Sequence, residues 1–389
     1  MSLRFAYEPR TCEQCGSERH EELWRYTHEA KTRHQVYLFE VRNVICSGCG
    51  FVFVTPVPTA DSLAPYYADA FSALPGQRPD YDLTARLDVL DSVTRGRARL
   101  VEIGANQPTE FHERARRMFA DVTTVEINDS VNSDARSLGG LADGICDVVA
   151  HYFVLEHVTQ VRGFIMECAR LLRPDGVMIV EVPDLAIYPS DPVALGNFEH
   201  MSHFSRGMLD RIAVQCGLSP VAVGAGRCSR PFGMVAAYGK NSGAQPVVTD
   251  SEYAVNLRHF QAGQQRLTAM RSSLLEAWQR VESYRAQGRH VIFWGANEIL
   301  DRFLDGRVPG DRVQVVDSDP LKASFGAAYP VATPEAARSA IAQSAAIFLF
   351  TRIHAPAILR DLAERFGKTY GHDHVHVVDY GVMPNETPQ

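Results

Sequence analysis

The chain has 389 residues, of which 46% are hydrophobic and 22% are charged, so it is long enough for two or three domains with apolar cores. Its net charge of -7 and pI near 6.1 give no general electrostatic attraction to nucleic acid or to an anionic membrane. No apolar run reaches the ~20 residues that a transmembrane helix needs, and no signal peptide is recognised. We therefore expect a cytoplasmic globular protein with neither nucleic acid nor a membrane as partner.

The N-terminal segment contains two Cys-x2-Cys pairs, each in a glycine-bearing turn. The first pair is Cys12 and Cys15, and the second is Cys46 and Cys49. A strand predicted over residues 35–41 would bring the two turns together. Two such turns are typical of a tetrahedral zinc site; a pair of disulfides is the alternative, which a reducing cytoplasm disfavours.

Hydrophobic periodicity divides the rest of the chain. Two regions alternate apolar strand-like runs with amphipathic stretches, which is typical of a parallel sheet covered by helices. A long polar helix with one apolar stripe separates them. The predicted fold class is α/β, with a small zinc-binding domain followed by two doubly wound domains. The predicted boundaries are 1–58 for the zinc-binding domain, 59–96 for a helical connector, 97–240 for the first α/β domain, 250–288 for a long helical connector and 289–389 for the second α/β domain.

The first α/β domain opens with a strand, Leu100–Ile103, and a turn at Gly104. A glycine there lets the backbone approach a ligand in front of a helix N-terminus, predicted near Pro108. The next predicted strand, 121–127, places Glu126 near its end, where a carboxylate can accept hydrogen bonds from two ribose hydroxyls. These features predict an adenosine-type ligand at the carboxyl edge of the sheet.

Two later segments resemble class I S-adenosylmethionine-dependent methyltransferases. Residues 148–157 are similar to that family's strand and loop ending in Val-Leu-Glu-His, and residues 168–183 are similar to its Arg-x-Leu-x-Pro-Gly-Gly helix, turn and strand. The resemblance implies a Rossmann-like methyltransferase domain with S-adenosylmethionine as cofactor. It also implies cofactor contacts from the side chains or backbone of Glu102, Gly104, Asn106, Glu126, His151 and Phe153.

The whole layout resembles the three-domain sugar C-methyltransferases, which act on nucleotide-linked keto-deoxysugars. The cysteine pairs, the methyltransferase motifs, the stretch 199–205 and the C-terminal stretches 295–296 and 317–322 carry this resemblance. It implies a Rossmann-like C-terminal domain and a nucleotide-sugar substrate held between the methyltransferase and C-terminal domains. Gly295 and Asp317 repeat the nucleotide-binding spacing, although a packing role explains them as well.

The sequence departs from that family at several positions. Gln107 and Pro108 follow Asn106, where the family commonly has an aspartate and a glycine. Only 20 residues separate Glu126 from Asp147, which leaves little room for the usual helix and third strand. We therefore expect the adenine side of the pocket to be built differently or to be open.

A polar cluster near residue 200 provides the predicted chemistry. C-methylation beside a ketone needs a base for a C–H proton and a donor to the enolate oxygen. His200 is the predicted base because imidazole titrates near neutral pH, and Glu199 is expected to orient it. Asn197 or His203 would donate to the oxyanion. A hydroxyl or amine acceptor would instead lose its own proton to His200, and a purely loop-fixing role for the cluster is the alternative.

Three classes of function stay open. The first is a methyltransferase acting on a nucleotide-linked sugar or related metabolite, or an O- or N-methyltransferase of a natural-product pathway. The second is a non-catalytic zinc-bearing scaffold with a degenerate cofactor site, and the third is a nicotinamide-dependent oxidoreductase. We favour the first because the 155–157 and 172–176 patterns are typical of methyltransferases and neither glycine turn has a full dinucleotide fingerprint.

The Glu156-His157 pair is expected to fix the loop beneath the cofactor, and Tyr66 and Tyr67 are expected to pack.

Overall fold

The computed structural model describes residues 3–31, 35–70, 81–94, 96–105, 110–128, 132–223, 227–240, 251–297, 300, 303–304, 308–319, 322, 329–351, 354–369 and 375–378. The predicted cofactor contact at Asn106 and the predicted helix start at Pro108 lie outside these ranges. The chain divides into two units, Met1–Gln264 and Gln265–Gln389.

The first unit contains thirteen strands and five helices within the described residues, and the first turns of a sixth helix. The strands are β1 Leu3–Arg4, β2 Tyr7–Glu8, β3 His20–Lys31, β4 Val36–Cys46, β5 Val52–Val54, β6 Val57–Pro58, β7 Arg99–Ile103, β8 Asp121–Val125, β9 Cys146–Tyr152, β10 Leu172–Pro183, β11 Ser202–His203, β12 Leu218–Val221 and β13 Gly233–Lys240. The helices are α1 Ala60–Ala70, α2 Leu83–Val93, α3 Glu110–Met118, α4 Val161–Leu171, α5 Arg206–Gln215 and α6 Tyr253–Ala286, which continues into the second unit.

An antiparallel hairpin of β3 and β4 dominates the N-terminal sheet. Side chains of β4 alternate between the core and the opposite face, with Phe39 and Val41 buried. β1 pairs in parallel with β4, and β5 pairs antiparallel with it. β11 then pairs with β5, so that Ser202 lies opposite Phe53 and His203 opposite Val52. A segment from far along the chain thus completes the N-terminal sheet.

The central sheet has six strands in the order β12-β13-β10-β9-β7-β8. The four strands from β10 to β8 are parallel, whereas β13 and β12 are antiparallel to their neighbours. Apolar side chains cover both faces, with helices packed against them. The predicted α/β Rossmann-like fold is therefore confirmed for this region, in a mixed sheet.

The connection from β8 to β9 was predicted to be too short for the usual helix and third strand. Among its described residues, the regular elements are a 3-10 turn, Leu138–Gly140, and a bridge between Val125 and Ala135. The carboxylate of Asp134 accepts hydrogen bonds from the amide and the hydroxyl of Thr124, both at 2.7 Å. These contacts protect part of the edge strand β8, next to which many Rossmann-like sheets have another strand.

The N-terminal sheet and one face of the central sheet share a core. Cys46, Phe51 and Phe53 belong to the same buried cluster as Met178 of β10 and Met208 of α5. The close packing of this cluster makes the cysteine turns part of the folded first unit.

The second unit contains a parallel sheet of five strands in the order β16-β15-β14-β17-β18. Residues of α6 from this unit, including Val281, contribute to its core. Among the described residues, no helix of either unit is long and apolar enough to cross a membrane. The elements that follow α6 are β14 Val291–Trp294, β15 Val313–Val316, β16 Val331–Ala332, α7 Arg338–Gln343, β17 Ala346–Leu349, α8 Ala355–Phe366 and β18 Val375–Val377.

Candidate active site and metal centre

The four N-terminal cysteines converge on one point. The Sγ atoms of Cys12 and Cys49 are 3.5 Å apart, as are those of Cys15 and Cys46, and all four lie within 4.8 Å of one another. A disulfide has sulfurs only ~2.05 Å apart, whereas ligands of a tetrahedral zinc ion at ~2.3 Å lie ~3.8 Å from each other. The donor set and its spacing therefore fit a zinc ion, and the four thiols are not paired as disulfides.

Arg10 joins the first cysteine turn to the segment that precedes β11. Its buried guanidinium donates to the carbonyl oxygen of Met201 at 2.8 Å and to Oγ of Ser202 at 2.9 Å. Burial lowers the pKa of Arg10 to about 10, so that it keeps its charge at neutral pH. The arginine thereby connects the first cysteine turn to the residues next to His200.

The turn after β7 requires glycine. Gly104 has φ +71, and a Cβ atom added there would lie 2.4 Å from Cγ2 of Val154. The turn therefore contacts the end of β9, where Phe153 also has a positive φ of 58. A non-glycine residue in this region of φ is strained, which occurs most often at functional sites.

Glu126 follows the last residue of β8, because the strand ends at Val125 and not at Ile127 as predicted. One carboxylate oxygen accepts a hydrogen bond from the amide of Asn128 at 3.1 Å. The neighbouring Ile127 is 66% exposed. Ile127 was not among the predicted site residues, although its position after the acidic residue could have indicated it.

Two other predicted cofactor contacts have buried side chains. Glu102 is 3% exposed, and its Oε2 lies 2.9 Å from Nε2 of His112 on α3. His151 is fully buried on β9 and contacts the ring of Phe164, and this burial lowers its pKa to about 3. The geometry gives Glu102 a role in holding α3 against β7, and leaves only the backbone of residue 151 for a cofactor.

Asn197 determines the tautomer of His200. Its Oδ1 accepts a hydrogen bond from the amide of Glu199 at 3.1 Å, which orients the side-chain amide. Its Nδ2 then lies 3.0 Å from Nε2 of His200 and donates to it, so we assign the proton of the neutral imidazole to Nδ1. Burial, with the neighbouring His157 and His203, holds the pKa of His200 well below its ordinary value.

Glu199 has a partner that the sequence does not predict. Its Oε1 accepts a hydrogen bond from the hydroxyl of Tyr66 at 2.7 Å. Burial and the Glu199 carboxylate raise the pKa of Tyr66, which keeps the phenol protonated. Tyr66 was expected only to pack, because nothing in the local pattern of α1 indicates a partner in a distant segment.

His203 is held from both sides. Its Nδ1 lies 2.7 Å from the hydroxyl of Tyr188, and its Nε2 lies 2.8 Å from Oδ1 of Asn43 on β4. The side chain is 2% exposed, and burial lowers its pKa to about 3. With both ring nitrogens engaged, His203 is placed to tie β11 to β4 and not, as predicted, to donate to an acceptor oxyanion.

In the C-terminal unit, the turn at Gly295 is hydrogen-bonded to the carboxylate of Asp317. The carboxylate of Asp317 accepts hydrogen bonds from the amide of Ala296 at 2.7 Å and from that of Asp319 at 2.9 Å. Lys322 Nζ lies 3.0 Å from the same carboxylate. These contacts favour the packing interpretation of the Gly295 and Asp317 spacing.

Comparison with known proteins identifies the central region. Residues 94–180 match the family described as "Methyltransferase domain". A stretch of 97 residues is 30% identical to a protein of Mycolicibacterium smegmatis described as a probable S-adenosylmethionine-dependent methyltransferase. That alignment covers 25% of this chain and 33% of the relative, so the match spans about a third of the relative's length.

Solved structures also resemble part of the chain. A Burkholderia thailandensis 1,6-didemethyltoxoflavin-N1-methyltransferase is 14% identical with a TM-score of 0.37, covering 55% of this chain and 98% of its own. An Archaeoglobus fulgidus SAM-dependent methyltransferase is 16% identical with a TM-score of 0.33, covering 41% and 93%. A Mesorhizobium loti S-adenosylmethionine-dependent methyltransferase is 13% identical with a TM-score of 0.31, covering 40% and 96%.

We expect His203→Ala to lower the free energy of unfolding of the first unit by about 2–4 kcal/mol, because two buried hydrogen-bond partners lose their contact. Urea denaturation followed by tryptophan fluorescence measures the change. Tyr188→Phe removes only one of the two bonds and should cost about 1 kcal/mol. Equal stability of the His203→Ala variant and the parent would contradict the tie between β11 and β4.

Proposed function

We propose that this chain, which contains a class I S-adenosylmethionine-dependent methyltransferase domain, methylates a carbon of a nucleotide-linked sugar or related small metabolite. The match of residues 94–180 to the methyltransferase family carries the proposal of methyl transfer. Burial keeps the imidazole of His200 neutral, so one ring nitrogen has a lone pair that can accept a proton. The nucleotide-sugar acceptor rests on the sequence resemblance described above.

The carboxyl edge of the central sheet supports the cofactor site. The Gly104 turn leaves no room for a side chain, which suits close approach of a ligand to the backbone. We assign the ribose hydroxyls to Glu126 and the adenine ring to the exposed face of Ile127. The backbone of Phe153 would form the floor of the site, Glu102 would support it through α3, and Asn106 is kept as a contact from the sequence pattern.

S-adenosylmethionine, when bound, supplies an electrophilic methyl group on a sulfonium centre. His200 is the base in this proposal and takes the proton of the acceptor C–H at Nε2. Asn197 donates to that nitrogen in the free protein. We propose that its amide shifts to the acceptor's carbonyl oxygen, which frees the lone pair of His200 and stabilises the enolate. The Tyr66 and Glu199 pair would line the same acceptor site.

We also propose that Cys12, Cys15, Cys46 and Cys49 hold a structural zinc ion. Four thiolates leave no open coordination position for a substrate, which is typical of structural sites. The cysteines share a core with the central sheet, so the ion would stabilise the fold around the base segment.

We expect the protein to bind one S-adenosylmethionine, and Glu126→Ala to weaken this binding by about tenfold to a hundredfold, because hydrogen bonds to a charged group of ~1.5–3 kcal/mol are lost. Isothermal titration calorimetry measures both affinities. Glu113→Ala, an exposed carboxylate on α3, is the matched control and should bind as the parent does. If the parent binds no cofactor, the proposed activity is refuted. If the Glu126 variant binds it normally, only the assignment of the ribose contact to Glu126 is wrong.

Freshly purified protein prepared without chelators should contain one zinc ion per chain by elemental analysis. Cys12→Ser should lower that content and the unfolding temperature of the first unit, since metal binding contributes to folding. Cys216→Ser, which changes a thiol outside the cluster, should retain the metal. A metal-free parent with full stability would rule out the zinc assignment.

We expect His200→Asn to slow turnover of a nucleotide-linked keto-deoxysugar by about 10²- to 10⁴-fold, the usual contribution of a base, with unchanged cofactor affinity. Exchange of the acceptor's C–H for deuterium, with S-adenosylhomocysteine in place of the methyl donor, isolates the proton transfer. His290→Asn, an exposed histidine of the second unit, is the control. Turnover without any exchange would favour an oxygen or nitrogen acceptor, and full exchange in the variant would exclude His200 as base.

A further inference from the structure

A second carboxylate lies close to His200. Glu156 belongs to the 3-10 turn Leu155–His157 that follows β9. One potential metal-ligand atom from each of Glu156, His157 and His200 lies within 4.8 Å of the other two. From the sequence, Glu156 was expected to fix a loop and Glu199 to orient His200, but one oxygen of Glu199 accepts a hydrogen bond from the Tyr66 hydroxyl.

The backbone holds Glu156 and His200 in this arrangement. The amide of Met201 donates to the carbonyl oxygen of Glu156 at 2.7 Å. The Arg10 guanidinium binds the carbonyl oxygen of the same Met201. The turn after β9 and the residue after His200 are therefore joined directly, which places the two side chains beside each other.

Both groups have hydrogen-bonding capacity that the described residues leave unused. Glu156 is 1% exposed, and neither of its carboxylate oxygens has a hydrogen-bond partner of normal geometry within the described part of the chain. Its Oε1 lies 4.0 Å from Nε2 of His157, which is beyond hydrogen-bond distance. The same holds for Nδ1 of His200, which carries the proton when Asn197 donates to Nε2. The carbonyl oxygen of Ala194 favours the charged imidazole, yet it makes no hydrogen bond of normal geometry with Nδ1. An unpaired buried polar group is destabilising, and a bond between the two groups would satisfy both.

We propose that Glu156 is the carboxylate partner of His200, accepting the Nδ1 proton in a hydrogen bond while Nε2 takes a proton from the acceptor. The role of His200 as base rests on the proposed function; the pairing of the two side chains does not. In the proposed step the C–H bond breaks, its electron pair stays on the acceptor carbon, and its proton goes to Nε2. The proton on Nδ1 stays in place, and the Glu156 carboxylate, once ionised above about pH 8, offsets the charge of the imidazolium. Glu156 is thus a positioning residue that acts through His200.

The same three side chains could be considered ligands of a metal ion. A histidine binds a metal through an unprotonated nitrogen. In the free protein the Asn197 amide occupies the lone pair of Nε2 and Nδ1 carries the proton, so an ion would have to displace Asn197 to bind His200. The tautomer therefore favours a proton-sharing pair at this place.

The ionisation of Glu156 gives the pair a signature in pH. Burial raises the pKa of Glu156 to about 8, and the charge of Arg230 opposes that shift. His157, His203 and Arg230 are the other charged or titratable groups that act on His200. Glu156 is therefore neutral below about pH 8 and ionised above it, so His200 should sense a change of charge near pH 8.

Nitrogen NMR of the full-length protein labelled with ¹⁵N-histidine tests the pairing without any substrate. The ring signals of His200, identified by their loss in His200→Asn, should shift in a step near pH 8 in the parent. Glu156→Gln should abolish the step because it cannot ionise, whereas Glu199→Gln should retain it. A parent without the step, a step that persists in Glu156→Gln, or a step lost only in Glu199→Gln would overturn the proposal.

Thermal unfolding of the same variants separates pairing from a loop-fixing role. A carboxyl whose pKa rises on folding favours the folded state at low pH, and this stability is lost as pH rises from about 4.5 to about 8. Glu156→Gln should therefore match the parent in unfolding temperature near pH 5 and exceed it near pH 9. A lower unfolding temperature at both pH values would show a loop-fixing role and overturn the proposal, as would a second metal ion per chain that Glu156→Gln removes.

Titration with S-adenosylmethionine separates failure of this inference from failure of the proposed function. If the step near pH 8 depends on Glu156 but the parent binds no cofactor, the pair stands and the proposed activity fails. If the cofactor binds but the step is absent, only the pairing is refuted.

Discussion

The pairing of β11 with β5 is the contact on which the geometry of the candidate active site depends. β5 follows the second cysteine pair, and β11 begins two residues after His200. Because these strands share one sheet, the base segment is held by the N-terminal region as well as by the central sheet. Arg10 and His203 strengthen this connection with hydrogen bonds to backbone and side-chain atoms on either side of it. The cysteine cluster and the candidate base are therefore parts of one folded unit.

Burial determines the chemistry available at this place. Removal from water disfavours the charged forms of imidazole and carboxyl groups alike, so the buried histidines are neutral at pH 7. A neutral imidazole keeps one nitrogen lone pair for a proton, and a carboxylate next to it can stabilise the charge that this proton brings.

Much of the fold could be predicted from local patterns. The strand before Gly104 was expected at 100–103 and runs over Arg99–Ile103, and the long helical connector was expected at 250–288 and its helix runs over Tyr253–Ala286. The lack of room for a helix and a further strand between β8 and β9 could be predicted from the number of residues alone. The end of β8 was placed two residues too late, because the apolar Ile127 extends the alternation of the strand although its side chain is exposed.

By itself the sequence determined the features that depend on nearby residues: the cysteine spacing, the glycine turn, and the order of strands and helices. Only the tertiary structure decided that Glu156 lies close to His200, that Tyr66 binds Glu199, and that both nitrogens of His203 are engaged. The physical reason is separation along the chain. Periodicity and spacing act over a few residues, whereas Tyr66 and Glu199 are 133 positions apart and Asn43 and His203 are 160 apart. Such partners are chosen by how the sheets pack and close the intervening loops, and no local pattern records that choice.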